Sequence, residues 1–143
     1  MNGAGPSGER GSTTVWIMSL GLVLMLLGGV AIDLWRILGD RRELAAVADS
    51  VAVAAASGID LDAYRAGEGV RLDPVLAREL GRSILAEQAP RLSEPPTIDF
   101  PDQDTVEVTL VREVPFTFLL LDGDLAPSFR LVVHTTTEAR LRG

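Results

Sequence analysis

The N-terminal part of the chain carries a long uninterrupted apolar run. Residues 15–32 contain no charged residue, no Asn, no Gln and no Pro. A helix of this length spans roughly 27 Å at about 1.5 Å per residue, close to the roughly 30 Å hydrocarbon core of a membrane. Trp16 and Trp35 stand near the two ends of the run, where an indole ring favours the membrane interface. The pattern predicts one transmembrane helix.

A cleaved secretory signal and a buried core helix are the alternative interpretations of this run. A signal has a basic start, a shorter apolar core and a small-residue cleavage site. Here Asp33 and Arg36 follow the apolar run at once. A helix that is apolar on every side needs a large protein around it, and only about 110 residues remain. Both alternatives therefore fit less well than a membrane span.

Beyond this run, apolar residues recur at three- and four-residue steps, which predicts that the helix continues in amphipathic form. Gly39 is the weakest point of this part, because Gly costs about 1 kcal/mol relative to Ala within a helix. Gly58 suits the capping position at the helix end. Ala48, Ala52 and Ala55 share one face, where another backbone can approach closely. This small face predicts packing on the protein's own domain, on a partner helix, or on both.

A second helix is predicted after a linker at residues 59–72. Asp73 suits the N-cap position and Pro74 the first helical position, and the helix should run to about Gln88. Pro90 lies just past this end. The apolar side of the predicted helix consists of Leu76, Leu80, Ile84 and Leu85.

In the C-terminal part of the chain the apolar period changes to two, which predicts β-strands. Val106, Val108 and Leu110 alternate with their neighbours in the first clear strand, and an edge strand is expected near Ile98. The alternation shifts near Arg112, which predicts a bulge or bend at that residue.

Further strands are predicted beyond Arg112. Pro115 lacks an amide hydrogen and is expected at a strand start or at a sheet edge. A short apolar strand is predicted over residues 116–121, with turn residues at 122–127. In the last strand, alternate residues from Phe129 to Leu141 share one face. The sheet should have one face in solvent and one face covered by helix.

These elements predict an α+β fold with a pilin-like plan. A long N-terminal transmembrane helix continues into an amphipathic helix, followed by one further helix and a small antiparallel sheet of three to four strands. The predicted division is a flexible segment at residues 1–11, the long helix at residues 12–57 and a small α+β domain at residues 58–143.

Composition narrows the chemistry. The net charge of −7 argues against a nucleic-acid partner, which needs a basic patch. The chain has no Cys and a single His, His134, which leaves no second His or Cys for a metal site or a catalytic triad. Five aspartates in the C-terminal part could suggest a calcium site, but their spacing matches no calcium-binding loop. These residues are Asp99, Asp102, Asp104, Asp122 and Asp124. We therefore expect a structural or assembly protein that is not an enzyme, with no catalytic residue, cofactor, metal or small-molecule substrate.

The order of the N-terminal features resembles a known family. Arg10 and Gly11 precede a short small-residue run, the apolar residues 15–32, Asp33, a basic patch and the Ala-rich stretch ADSVAVAAAS. This order resembles the N-terminal segment of TadE/TadG-like proteins of the tight-adherence (Flp) pilus machinery. The tail EVTLVREVPFTFLLLDGDLAPSFRLVVHTTTEARL is similar to the C-terminal sheet of that family. The resemblance implies a pseudopilin-like membrane protein of pilus assembly and secretion, with other pilus-assembly proteins as partners.

The same resemblance makes Gly11 a candidate processing site for a prepilin peptidase. TadE-type pseudopilins often carry a Glu shortly after this glycine, whereas residues 12–17 contain no carboxylate. The TadG-like branch lacks this Glu more often and is the better match.

The family resemblance and the distribution of arginines predict opposite orientations of the chain in the membrane. The family implies a cytoplasmic N-terminus and an extracytoplasmic C-terminal domain at the cell membrane. Arg10 precedes the span and three arginines follow it, which by the positive-inside tendency favours the opposite orientation; they are Arg36, Arg41 and Arg42. We follow the family, and expect Asp40 and Glu43 to pair with these arginines within the helix.

Two functions of different class follow. The first is a minor membrane-anchored component of a tight-adherence pilus apparatus that acts by protein–protein contact. In this function, Gly21, Gly28 and Gly29 would let a neighbouring membrane helix come close. The alternative is a single-pass membrane-tethered sensor or ligand-binding module. Neighbouring genes that encode a secretion ATPase and polytopic platform proteins would favour the first.

Overall fold

A computed structural model describes the backbone of residues 9–116 and 128–139, and the side chains of these residues from residue 13 onward. The helices are α1 (Glu9–Ala56), α2 (Leu61–Arg65) and α3 (Pro74–Gln88), and the strands are β1 (Thr97–Asp99), β2 (Thr105–Pro115) and β3 (Ser128–Glu138). The strands form one antiparallel sheet in the order β1-β2-β3. The predicted α+β fold class is confirmed. The predictions for residues 1–8, 117–127 and 140–143 lie outside the described residues.

Helix α1 is a single helix of 48 residues with two different halves. The large apolar side chains of residues 15–32 are exposed, and Trp16 and Trp35 are 71% and 81% exposed. The C-terminal half packs on α3 and on the sheet, with Leu44 and Val51 fully buried. The helix passes through Gly39 without interruption. The change from an apolar to an amphipathic pattern therefore marks where α1 enters the domain.

Strand β2 is the central strand, and its even-numbered residues face the helices. Val106, Val108 and Leu110 are completely buried there, as the alternation predicted. The pairing of β2 with β3 runs in one register over the full length of both strands, from Thr105↔Glu138 to Pro115↔Ser128. The predicted bulge at Arg112 is therefore wrong, because Arg112 keeps the phase of the strand as a charged residue on the helix-facing side.

The sequence predicts Pro115 at a strand start or at a sheet edge. It is the last residue of β2, so it does not start a strand, but among the described strands it pairs with β3 alone, as a residue at an edge does. Its missing amide hydrogen falls at the end of the ladder. Strand β1 pairs only with residues 107–109 of β2. Beside the remainder of β2 lies the loop before β1, where the Ser93 amide donates to the Val111 carbonyl at 2.9 Å and the Glu113 amide donates to Ser93 Oγ at 2.6 Å.

Helix α3 begins as predicted, with the Asp73 side chain accepting hydrogen bonds from the Val75 and Leu76 amides. Its buried residues are Ala77 and Gly81, whereas Leu76 is 40% exposed. The predicted apolar side is therefore only partly the buried side. The helix uses its smallest residues because it lies so close to its neighbours.

Gly58 shows how close this approach is. A Cβ atom built on Gly58 would lie 2.8 Å from Ala77 Cα. Gly58 follows the end of α1, and its amide donates to the Ala55 carbonyl at 3.0 Å. Among the described glycines only Gly67 and Gly69 have positive φ, so Gly58 is not in the left-handed conformation common at helix ends. It provides instead the space in which α3 crosses the end of α1. The short helix α2, which lies in the predicted linker, is capped by the side chain of Asp60.

We predict opposite effects for two alanine substitutions. Gly58→Ala should lower the free energy of unfolding by about 1–3 kcal/mol, because the added methyl group meets backbone atoms that must shift. Gly39→Ala should raise it by up to about 1 kcal/mol, since a Cβ there meets nothing within 4 Å and Ala favours helix. Thermal unfolding of the full chain in detergent, followed by circular dichroism, measures both. Equal midpoints for the two variants would contradict this packing.

Candidate functional site

The apolar half of α1 is the largest uncovered apolar surface of the described chain. The helix is long and apolar enough to cross a membrane. Gly21 and Gly28 have nothing within 4 Å of a built Cβ, whereas Gly29 is buried. Gly21 and Gly28 lie about two helical turns apart and so share one side of α1. Exposed apolar surface on this scale indicates contact with lipid or with another protein.

The small face of α1 is occupied within the chain. Ala48, Ala52 and Ala55 are all completely buried and belong to the hydrophobic core. A Cβ atom at Gly81 of α3 would lie 3.5 Å from the Cβ of Ala55. These three alanines therefore contact the protein's own domain. Gly11, the candidate processing site, lies within α1 near its N-terminal end.

A buried arginine joins α1 to the sheet, at the end of the domain nearest the apolar segment. The side chain of Arg112 is 10% exposed. Its Nε donates to the Arg91 carbonyl at 2.8 Å, and its Nη2 donates to Glu43 Oε1 at 3.2 Å. Nη1 lies 3.6 Å from Asp40 Oδ1. We call Arg112 with Asp40, Glu43 and the Arg91 carbonyl the junction cluster.

The junction cluster satisfies a charge that is costly to bury alone. A guanidinium carries donors in a fixed fork; here one carboxylate and one carbonyl accept hydrogen bonds from it, and the Asp40 carboxylate adds a second negative charge nearby. Asp40 and Glu43 keep 29% and 63% of their side-chain surface exposed, so the desolvation of the carboxylates is limited. The arrangement ties one turn of α1 to the central strand and to the loop before β1.

Sequence reasoning missed this cluster. It expected Asp40 and Glu43 to pair with arginines of their own helix, but the structure brings both to Arg112, 69 residues along the chain from Glu43. The sequence pattern that could have revealed the cluster is the alternation along β2. Arg112 and Val114 continue the series of even-numbered residues that are buried. An arginine in a buried row requires a carboxylate partner on the facing element.

The solvent face of the sheet carries the single histidine. His134 Nδ1 lies 2.9 Å from Thr109 Oγ1 and 3.7 Å from Glu107 Oε1, and its side chain is 60% exposed. Among the described residues no group of three or more His, Cys, Asp or Glu side chains is placed to hold a metal ion.

The described chain is thus an α+β domain built on the second half of a helix whose first half is apolar enough to cross a membrane. Residues 11–58 match the family model described as "Putative Flp pilus-assembly TadE/G-like". The matched segment coincides almost completely with α1 and ends at Gly58, where α3 crosses it. No curated protein and no solved structure matches the chain.

This match supports the TadE/TadG-like resemblance and involvement in Flp pilus assembly. It covers about one third of the chain and describes TadE-like and TadG-like proteins together. The similarity of the C-terminal tail to the sheet of that family stays a prediction, because the match does not reach the strands.

We predict that Arg112 stabilises the junction of α1 with the sheet. Arg112→Met should lower the free energy of unfolding by about 1.5–3 kcal/mol, because it removes charge-assisted hydrogen bonds at a buried position. Arg130→Met is the matched control, since Arg130 pairs with Glu94 at 2.7 Å where both side chains are about half exposed. That exposed pair should contribute less than about 1 kcal/mol. Thermal unfolding of the full chain in detergent measures both, and equal losses would argue against a special role for Arg112.

Proposed function

We propose that the protein is a minor, TadG-like component of a tight-adherence (Flp) pilus apparatus, which acts by protein contact and not by catalysis. The observation that carries this proposal is the match of residues 11–58 to the Flp pilus-assembly family model. The absence of a carboxylate in residues 12–17 favours the TadG-like type over the TadE-like type.

In this proposal the first half of α1 is a membrane anchor. Its support is the exposed apolar surface of residues 15–32, flanked by Trp16 and Trp35. Burial in hydrocarbon would remove this surface from water at a gain of about 25 cal/mol per Å². The domain after the span lies outside the cytoplasm, as the family resemblance implies, although three arginines follow the span.

The proposed mechanism uses α1 as a rigid connection between the membrane and the domain. Gly21 and Gly28 supply a side of low bulk on which another membrane helix can pack closely. The helix continues without a break into the domain core, where Leu44 and Val51 are fully buried. A neighbour bound in the membrane would therefore fix the position of the domain, which contacts the other pilus-assembly proteins.

Anchoring and orientation are tested together. We expect the full chain to remain in the membrane pellet after carbonate extraction, because residues 15–32 match the hydrocarbon thickness. Leu24→Arg should shift it toward the supernatant, since an arginine at the helix centre costs about 2.5–3.5 kcal/mol, whereas Leu24→Ile should not. Alkaline phosphatase fused after Gly143 should be active, and β-galactosidase fused there inactive. Release of the wild-type chain would disprove anchoring, and the reverse reporter pattern would disprove the orientation.

Pilus assembly is tested by deletion and complementation. Deletion of the gene should reduce surface pili and adhesion, and the wild-type gene should restore both. Gly28→Ile should fail to restore them while the protein still accumulates in the membrane, because the added bulk prevents close helix approach. Leu22→Ile is the matched control, since it keeps the bulk of a residue on another side of α1. Normal pili and adhesion in a deletion strain without a paralogue would refute the proposed function.

A further inference from the structure

Strand β3 lies at one edge of the described sheet. The sheet order is β1-β2-β3, and among the described strands β3 pairs with β2 alone. Strand β2, by contrast, is bonded on both sides, to β3 and to β1 with the loop before it. The even-numbered residues of β3 are all exposed, and Val132 is 41% exposed. An exposed strand edge offers backbone hydrogen bonds to another chain.

The hydrogen-bond pattern of the ladder shows which backbone groups of β3 point outward. The Ala139 amide donates to the Asp104 carbonyl at 2.6 Å, in the same register as the β2–β3 pairing. Because hydrogen-bonded positions alternate along an antiparallel pair, the odd-numbered residues of β3 bond to β2. The even-numbered residues therefore direct their N–H and C=O groups away from β2. In the middle of β3 these residues are Arg130, Val132, His134 and Thr136.

The sequence of β3 lacks the features by which proteins usually block an open edge. The strand SFRLVVHTTTE contains no Pro and no Lys, and its pairing with β2 keeps one register without a bulge. Residues 131–137 contain no Asp, Glu or Arg and are rich in β-branched residues, which favour an extended backbone. Phe129 and Val132 keep exposed apolar surface that an added strand would cover.

The direction of α1 along β3 decides which chain can use this edge. Glu43 of α1 pairs with Arg112 of β2, which lies opposite Leu131 of β3. Further along α1, Asp49 accepts a hydrogen bond from Thr135 Oγ1 at 3.0 Å. Residue numbers therefore increase in the same direction along α1 and along β3.

This geometry excludes antiparallel pairing of β3 with β3 of a second anchored copy. Such pairing would reverse α1 in one of the two copies, because α1 follows the direction of β3. The two apolar segments would then leave the paired domains in opposite directions. Two copies anchored in one membrane cannot adopt this arrangement.

Other contacts with a second copy are also disfavoured. Parallel pairing of two β3 strands would keep both spans aligned, but a parallel ladder sets an outward-bonding residue opposite one that bonds inward. A two-fold axis sets each residue opposite its own copy and cannot produce that ladder. The other described edge strand, β1, has three residues and would give a second copy only a short ladder.

We propose that the outer edge of β3 binds an extended segment of a different polypeptide, which adds to the sheet antiparallel to β3. This inference rests on the membrane anchoring proposed above. Backbone hydrogen bonds hold the added strand, and its side chains alternate between the solvent face beside Val132 and the face next to α1. The partner is therefore a protein with an extended segment of about five or six residues that is rich in β-branched or aromatic residues.

A free peptide is the direct probe of this edge, because no membrane span fixes its direction. The peptide SFRLVVHTTTE copies β3 and can lie antiparallel to it, with each even-numbered residue of β3 opposite an even-numbered residue of the peptide. Fluorescence anisotropy of the labelled peptide measures its binding to the full chain in nanodiscs. We expect saturable binding that empty nanodiscs do not show. Absence of this binding overturns the inference.

Substitutions at the edge separate strand addition from other peptide binding. Val132→Pro removes an outward amide and leaves the hydrogen bonds to β2 in place, so it should weaken peptide binding at least about tenfold while the thermal midpoint changes little. Val132→Thr is the matched control, since it keeps the amide and the β-branched shape, and it should bind the peptide like the wild type. Thr136→Pro repeats the test at a second outward amide if Val132→Pro does not fold. Wild-type affinity in a folded proline variant overturns the inference.

Photo-cross-linking distinguishes a second copy from the peptide. A benzophenone label on the Val132→Cys variant is specific, because the chain contains no Cys. In vesicles that contain only this protein, illumination should link the label to added peptide and give no linked dimer. A linked dimer, from protein that resists carbonate extraction, overturns the inference alone. Release by carbonate overturns the anchoring and the inference that rests on it, whereas normal pili in the deletion strain would refute the proposed function and leave peptide binding unchanged.

Discussion

The structure depends on the close contact that the small face of α1 makes with the rest of the chain. Ala48, Ala52 and Ala55 are completely buried, and α3 approaches so near that Gly58 has no room for a side chain and a Cβ atom at Gly81 would touch Ala55. Close packing of small residues gives many dispersion contacts without long side chains to order. The second half of one helix thereby becomes the core of the domain.

This arrangement explains why one helix can serve two environments. The large apolar side chains of residues 15–32 are exposed, whereas Leu44 and Val51 are fully buried in the domain core. The junction cluster stands between these two regions and fixes Arg112 of the central strand to Asp40 and Glu43 of α1. The domain is therefore attached to α1 at the first turns beyond the apolar segment.

The proposed roles in assembly follow from this division of α1. Ala48, Ala52 and Ala55 are already used for the domain, whereas Gly21 and Gly28 of the apolar segment have open space around them for a partner. In the proposed function, intermolecular contacts in the membrane and intramolecular contacts in the domain would thus occupy separate stretches of one helix. The Flp pilus-assembly family model matches both stretches together.

The sequence by itself determined the elements whose signals are local. The uninterrupted apolar run, the Asp73-Pro74 helix start and the alternation of Val106 to Leu110 each predicted a described element. Tertiary structure decided what depends on distant partners. Arg112 looked like a break in the strand because its partners, Asp40 and Glu43, are far away along the chain, and only the fold shows that it remains in phase. Gly58 looked like a cap because its neighbour across the helix crossing, Ala77, belongs to another element. The periodicity of the sequence shows which side of a helix or strand is buried. Which residues of other elements contact that side is decided by the tertiary packing.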